Sequence, residues 1–112
     1  MIYSLYPGRF QPFHKAHAAI VQGLLDEGKS VCVALRDTPK SDTDPYTIDE
    51  RTAFIRAYFP NEERVKIITL PDIEEIVYGR KVGYGIREVH LSPELEAISA
   101  TQIRNDNLAD RK

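Results

Sequence analysis

The sequence predicts a single α/β domain built on a doubly wound parallel sheet, and three observations carry that reading. Residues 2–35 run as strand, helix and strand at the spacing of a βαβ unit, whose crossover is right-handed. The second strand, Ser30 to Leu35, is a nearly continuous apolar run, the pattern of a strand covered on both faces of a sheet. A helix capped at Thr47 and a further strand, Val65 to Leu70, continue the alternation of strand and helix.

Each element has its own local reason. Residues 2–6 alternate and are β-prone, and Pro7-Gly8 breaks the run before a helix expected from Lys15 to Leu25. That helix carries Ala16, Ala18, Ala19, Ile20, Val21, Leu24 and Leu25, an apolar face broad enough to cover a sheet, and Gly28 supplies its stop. Arg36 to Tyr46 is a polar loop leaving the C-terminal end of the second strand, where α/β folds place ligands and where a loop orders on binding. Thr47 and Glu50 form a capping box, and the helix that follows ends at Pro60. Beyond Pro71-Asp72, the run Ile73 to Tyr78 fits a short helix or a strand equally well, because periodicity does not separate them at this length. Gly79 to Gly85 is a glycine-punctuated loop, Arg87 to Leu91 alternates as a further strand, and Ser92-Pro93 caps a short helical turn. A last helix is expected from Ala100 or Thr101 to Leu108.

Composition narrows the function. The 112 residues suffice for one domain, 1–112, with one core, and 42% hydrophobic with 29% charged residues argues against disorder. The formal charge is -2 with no basic block, a poor electrostatic footprint for a nucleic-acid binder, so no nucleic-acid partner is expected. Cys32, the one cysteine, sits in a strand-like apolar run and excludes an intrachain disulfide, which suits a reducing cytoplasm. There is no run of eighteen apolar residues and no charged-then-apolar leader, so neither a membrane partner nor secretion is expected.

The chemistry gathers at Gly8-Arg9-Phe10-Gln11-Pro12-Phe13-His14-Lys15-Ala16-His17. A strand that delivers a Gly/Pro turn onto a helix N-terminus builds an anion site from unpaired N–H groups and the helix dipole. His14 and His17, three apart at that helix start, can both face one bound group. This stretch resembles the nucleotide-binding signature of the cytidylyltransferase-like nucleotidyltransferase superfamily, and Arg9-Phe10-Gln11-Pro12 is closest to its nicotinamide mononucleotide adenylyltransferase branch. Asp44-Pro45-Tyr46-Thr47 with Glu50-Arg51 is similar to a middle segment of that branch, and Ile98-Ser99-Ala100-Thr101-Gln102-Ile103-Arg104 resembles its second signature. The family pattern has glycine where this chain has Ala16, and the interval before the second signature is compressed.

The resemblance implies a Rossmann-like sheet and a set of site residues. Gly8, Arg9 and Phe10 line the nucleotide, and His14 and His17 meet its triphosphate, with His17 at the α-phosphate. Thr101 and Arg104 bind the outer phosphates from the last helix, Arg104 offering a bidentate fork and, with the two histidines, acting in catalysis. Lys40, Arg51, Arg80, Lys81 and Arg87 are further candidates for phosphate or acceptor contacts. A zinc reading of the histidine pair needs further ligands, for which Cys32 and His90 qualify only by type. The implied activity is transfer of a nucleoside monophosphate, AMP favoured, from a nucleoside triphosphate to a phosphorylated acceptor with release of pyrophosphate. Nicotinamide mononucleotide is the first acceptor to test. Mg²⁺ is implied as the triphosphate's companion, and the sequence shows no dedicated metal cage. A cytidylyltransferase acting on a phosphorylated alcohol or sugar, and a nucleotide-binding regulatory module, remain as alternatives. A domain of this size with sheet edges to cover is expected to form a homodimer or larger assembly, through residues 73–91.

Overall fold

The computed structural model describes residues 2–80, 83 and 85–98. Lys81, Thr101, Arg104 and the expected last helix lie outside the described residues. The elements run β1 (Tyr3–Gly8), α1 (Lys15–Asp26), β2 (Ser30–Asp37), α2 (Ile48–Tyr58), β3 (Val65–Pro71) and α3 (Pro93–Glu96). The three strands form one parallel sheet in the order β1-β2-β3. The register sets Leu5 beside Cys32 and Tyr6 beside Val33, then Val31 beside Val65 and Val33 beside Ile67. The parallel α/β architecture expected from the alternation is therefore present.

The two faces of the sheet differ. Val31, Val33 and Leu35 of β2 and Val65 of β3 pack with Val21, Leu24 and Leu25 of α1 and with Ile55 of α2 and Phe59 at its C-cap, so both longer helices cover one face. Side chains alternate along a strand, so Leu5 and Cys32 belong to the other face. There Leu5 is 58% exposed and the Lys66 Nζ lies 5.9 Å from the centre of the Tyr3 ring. The described residues thus supply one helical layer of the expected double winding.

Local chemistry fixes the helix ends. Gly28 takes a φ of +81° after α1, while its N–H donates to the Leu25 carbonyl and that of Lys29 to the Leu24 carbonyl, which closes the helix on a left-handed residue. At α2 the Glu50 N–H donates to Thr47 Oγ1 at 3.1 Å and the Thr47 N–H to Glu50 Oε1 at 3.2 Å, completing the expected capping box. Residues 73–78 form neither helix nor strand. The strand expected over Arg87–Leu91 is also absent. Alternation alone gives no pairing partner, and here Arg87 turns to α1 instead, donating to both carboxylate oxygens of Glu27 at 3.0 and 3.2 Å.

Candidate functional site

β1 ends at Gly8 and α1 begins at Lys15, so the intervening turn lies at the C-terminal edge of the sheet. Phe10 adopts a φ of +51°, the left-handed region that a bulky residue rarely occupies. Its ring folds back under Gly8, where an added Cβ would stand 2.8 Å from the Phe10 Cζ. Glycine is required there for close approach rather than for its backbone freedom. The Phe10 ring is held edge-on to Tyr6 at 5.1 Å, Phe13 at 5.4 Å and His17 at 4.9 Å between centroids. With its side chain buried, Phe10 can address a ligand only through its backbone.

The two histidines form the cap of α1. His14 is the N-cap residue and 8% exposed; its Nδ1 accepts from the Ala16 N–H at 3.2 Å. His17, at the third helical position, accepts the His14 N–H at its own Nδ1 at 3.1 Å. A nitrogen that accepts a backbone N–H carries no proton, so both neutral rings hold theirs on Nε2. Burial pushes the pKa of His14 down, and burial followed by the nearby His14 pushes His17 down to about 3. Two neutral imidazoles thus stand at a helix N-terminus, each with an Nε2–H that no described residue accepts. Ala16, where the family pattern has glycine, is buried and donates its N–H within this cap.

The polar loop is tied to the same turn. Arg9 reaches Asp44 at 3.3 Å, with side-chain exposures of 45% and 13%. Gln11, 2% exposed, donates from Nε2 to the Tyr46 carbonyl at 3.0 Å and accepts the Tyr46 N–H at Oε1 at 2.9 Å. Gln11 carries no local signal of this role in the sequence, because its part depends on a residue 35 positions away. A cleft of about 340 Å³ opens beside the turn, lined by Pro7, Gly8, Arg36 and residues 73–76. Arg36 anchors its far wall, donating from one terminal nitrogen to Asp72 Oδ1 and to the Ile73 carbonyl, both at 2.8 Å.

The remaining candidates divide. Lys40 is exposed in the loop, and Arg80 is exposed after β3. Arg51 is 1% exposed and donates only to carbonyls, which places it as a brace beneath the turn rather than on its surface. Arg87 is removed from the turn: Glu27, its partner, caps the opposite end of α1, about 20 Å along the axis from His14 at 1.5 Å per residue. It is not placed for the phosphate or acceptor contact expected of it. Cys32 lies within the β2 run and His90 is exposed beside Glu88 and Glu96, away from the histidine pair. No group of three or more His, Cys, Asp or Glu side chains able to hold a metal occurs among the described residues. No helix among them is long and apolar enough to cross a membrane.

A parallel sheet, a glycine turn and a histidine-capped helix define an α/β domain whose first helix start is suited to an anion, and comparison with known proteins makes the class specific. Residues 5–74 match the cytidylyltransferase-like family model, and the chain belongs to that family. It is similar to the nicotinamide-nucleotide adenylyltransferase of Ignicoccus hospitalis, with 38% identity over 76 residues, 62% of this chain and 44% of the relative. It is also similar to the phosphopantetheine adenylyltransferase of an Anaeromyxobacter species, with 36% identity over 64 residues, 57% of this chain and 38% of the relative. A longer match, 28% identical over 100 residues, joins 85% of this chain to 56% of the nicotinamide-nucleotide adenylyltransferase of Sulfurisphaera tokodaii. The chain therefore spans less than half the length of the first two relatives.

Proposed function

We propose that the chain is a nucleotidyltransferase that moves AMP from ATP to a phosphate-bearing acceptor. The observation that carries this reading is the pair of neutral histidines capping α1 at the C-terminal edge of the sheet. In the reaction an acceptor phosphate oxygen forms a bond to the α-phosphorus of ATP. The bond from that phosphorus to the bridging oxygen breaks, and pyrophosphate leaves with both bonding electrons. No proton need move, so the protein's task is to hold the groups in line and to offset charge on the transferring phosphoryl group. The Nε2–H of His17 donates to the α-phosphate and that of His14 to the neighbouring phosphates.

Arg104 and Thr101, from the second signature, are assigned to the outer phosphates on the sequence alone. Lys40 and Arg80 remain candidates for additional phosphate contacts, and Lys81 is a candidate from sequence. Mg²⁺ would arrive with the triphosphate, held by phosphate oxygens and water, and would neutralise charge on the leaving pyrophosphate. The acceptor is assigned to the cleft beside Gly8. Adenylyl transfer is favoured over cytidylyl transfer because the relatives matched are named adenylyltransferases. The names of those relatives make nicotinamide mononucleotide the first acceptor to test and a phosphopantetheine the second. We assign the chain to a homodimer, since Ile76, Val77, Tyr78 and Ile86 expose large apolar side chains within the stretch expected to associate. A sedimentation series at micromolar concentration that shows only monomer overturns that assignment.

The test of function is pyrophosphate release from ATP and from CTP, each offered with both acceptors and with glycerol phosphate. ATP-dependent release with one of the first two supports the reading. Release from CTP alone supports cytidylyl transfer. Tight triphosphate binding with no release from any pair points to a nucleotide-binding module.

A further inference from the structure

Among the described residues, Arg51 is one of the largest fully buried side chains and the only charged one of that group. It stands one turn into α2, and its guanidinium contacts three separate segments. Nε donates to the Thr47 carbonyl at 3.3 Å, and one terminal nitrogen donates at 2.8 Å to both the Arg9 and the Arg36 carbonyls. Those carbonyls belong to the turn after β1, the last part of β2 and the cap of α2. Among the described residues no carboxylate forms an ion pair with it; Asp37 and Asp44 act on it only through longer-range attraction. A buried cation whose partners are neutral carbonyls is costly to place, and an apolar side chain of similar volume would fill the space at less expense. Cross-linking two strand exits and a helix cap explains part of its presence, since an arginine fork can hold several carbonyls at once.

The Arg9 carbonyl gives the rest. A trans peptide is planar, with its C=O and the following N–H pointing in opposite directions. The carbonyl drawn inward to Arg51 therefore turns the Phe10 N–H away from the buried guanidinium, in the segment where Phe10 holds its left-handed φ. We propose that Arg51 is a positioning residue for the triphosphate: it fixes the Arg9–Phe10 peptide so that the Phe10 N–H meets the nucleotide, and it lends a buried positive charge to the anion. The inference rests on the reading of this turn as a nucleotide site. It adds a residue that acts from beneath the site without touching the ligand.

The experiment compares ATP and CTP affinity, by calorimetry with Mg²⁺ present, in the unaltered chain, Arg51→Lys, Arg51→Gln and Arg56→Lys. Arg56 is the control, because it too is an α2 arginine bonded to a carbonyl, that of Val65 at 3.0 Å, at the other end of the helix. Titrations are run well below every melting midpoint. The expected result is about tenfold weaker triphosphate binding in Arg51→Lys, the order expected for losing one charge-assisted contact, and weaker binding still in Arg51→Gln. Arg56→Lys lowers the melting temperature and leaves affinity unchanged. Equal affinity in the unaltered chain and Arg51→Lys overturns the inference and leaves the nucleotide site standing. Loss of fold in both Arg51 variants makes the residue purely structural and also overturns it. An unaltered chain that binds neither triphosphate overturns the site itself, and this inference with it.

Discussion

The imidazole rings of His14 and His17 stack at 3.8 Å between centroids, 25° from parallel, while each Nδ1 accepts a backbone N–H of the helix start. One pair of side chains thus terminates a helix and presents two ring donors to whatever binds there. The cap works only while both rings are neutral at Nδ1, which couples the protonation of the site to the stability of α1.

That coupling gives a pH dependence with a definite sign. His17 titrates near 6.5 when unfolded and at about 3 when folded, because burial and then His14 disfavour its charge. Between those values the unfolded chain binds a proton that the folded chain does not, so acid favours unfolding. The contribution is complete above pH 6.5, falls as the pH drops below it, and is gone below about 3. His14, lowered by burial, adds in the same direction. Melting temperatures of the ligand-free protein should therefore decline from pH 7.5 to pH 4. His17→Gln should flatten that decline, since glutamine caps from the third helical position without titrating. An equally steep decline in the variant would assign the effect to other groups.

How much was legible in the sequence depends on how local each signal is. The close approach at Gly8 and the Thr47–Glu50 box were legible because their interactions close within a few residues, whereas the capping of α1 by His14 and His17 was not, since histidine is an uncommon cap. Gln11 and Arg51 stood out as motif residues but their contacts did not, because their partners at Tyr46, Arg9 and Arg36 are neighbours only once the chain has folded. The error at Arg87–Leu91 has the opposite origin: alternation marks a strand only where another strand offers a ladder, and Arg87 found Glu27 instead. Arg87 also shows why a cation near glycines is a weak phosphate signal.

Gly8→Ala should destabilise the fold as well as the site. The new Cβ would meet the Phe10 ring at 2.8–3.1 Å, and that ring is enclosed by Tyr6, Phe13 and His17, so it has no direction in which to yield. Overpacking of this kind typically costs about 1–3 kcal/mol. Urea unfolding should show that loss with an unchanged m-value. A variant as stable as the parent would mean that the turn relaxes around the methyl group.

Asp44→Asn should bind triphosphate slightly more tightly. Asp44 holds Arg9 at 3.3 Å, and an incoming phosphate would compete for the same guanidinium. Asparagine still accepts from Ser41 and Thr43, so the loop turn survives while the competing charge is removed. Half-exposed ion pairs contribute about 0.2–1 kcal/mol, which corresponds to roughly a 1.5- to 5-fold gain in affinity. Titration at low and high salt checks it, because the gain should shrink as salt screens the pair. Weaker binding in the variant would instead make Asp44 a contributor to the site.

His17→Gln and Arg104→Lys should separate chemistry from binding. His17→Gln keeps the cap but loses the Nε2–H at the α-phosphate, where charge grows as the reaction proceeds; its effect should fall on kcat. Losing one preorganised donor of this kind typically costs about 3 kcal/mol, a hundredfold or more in rate. Arg104 is assigned to phosphates that are charged before the reaction begins, so Arg104→Lys should raise KM for ATP as well as lower kcat, since an ammonium restores charge without the planar fork. Steady-state kinetics beside thermal melts make the comparison, with His17→Gln melting close to the parent at pH 7.5. A folded His17→Gln protein with nearly unchanged kcat/KM would remove His17 from the chemistry and leave it as the cap of α1 alone.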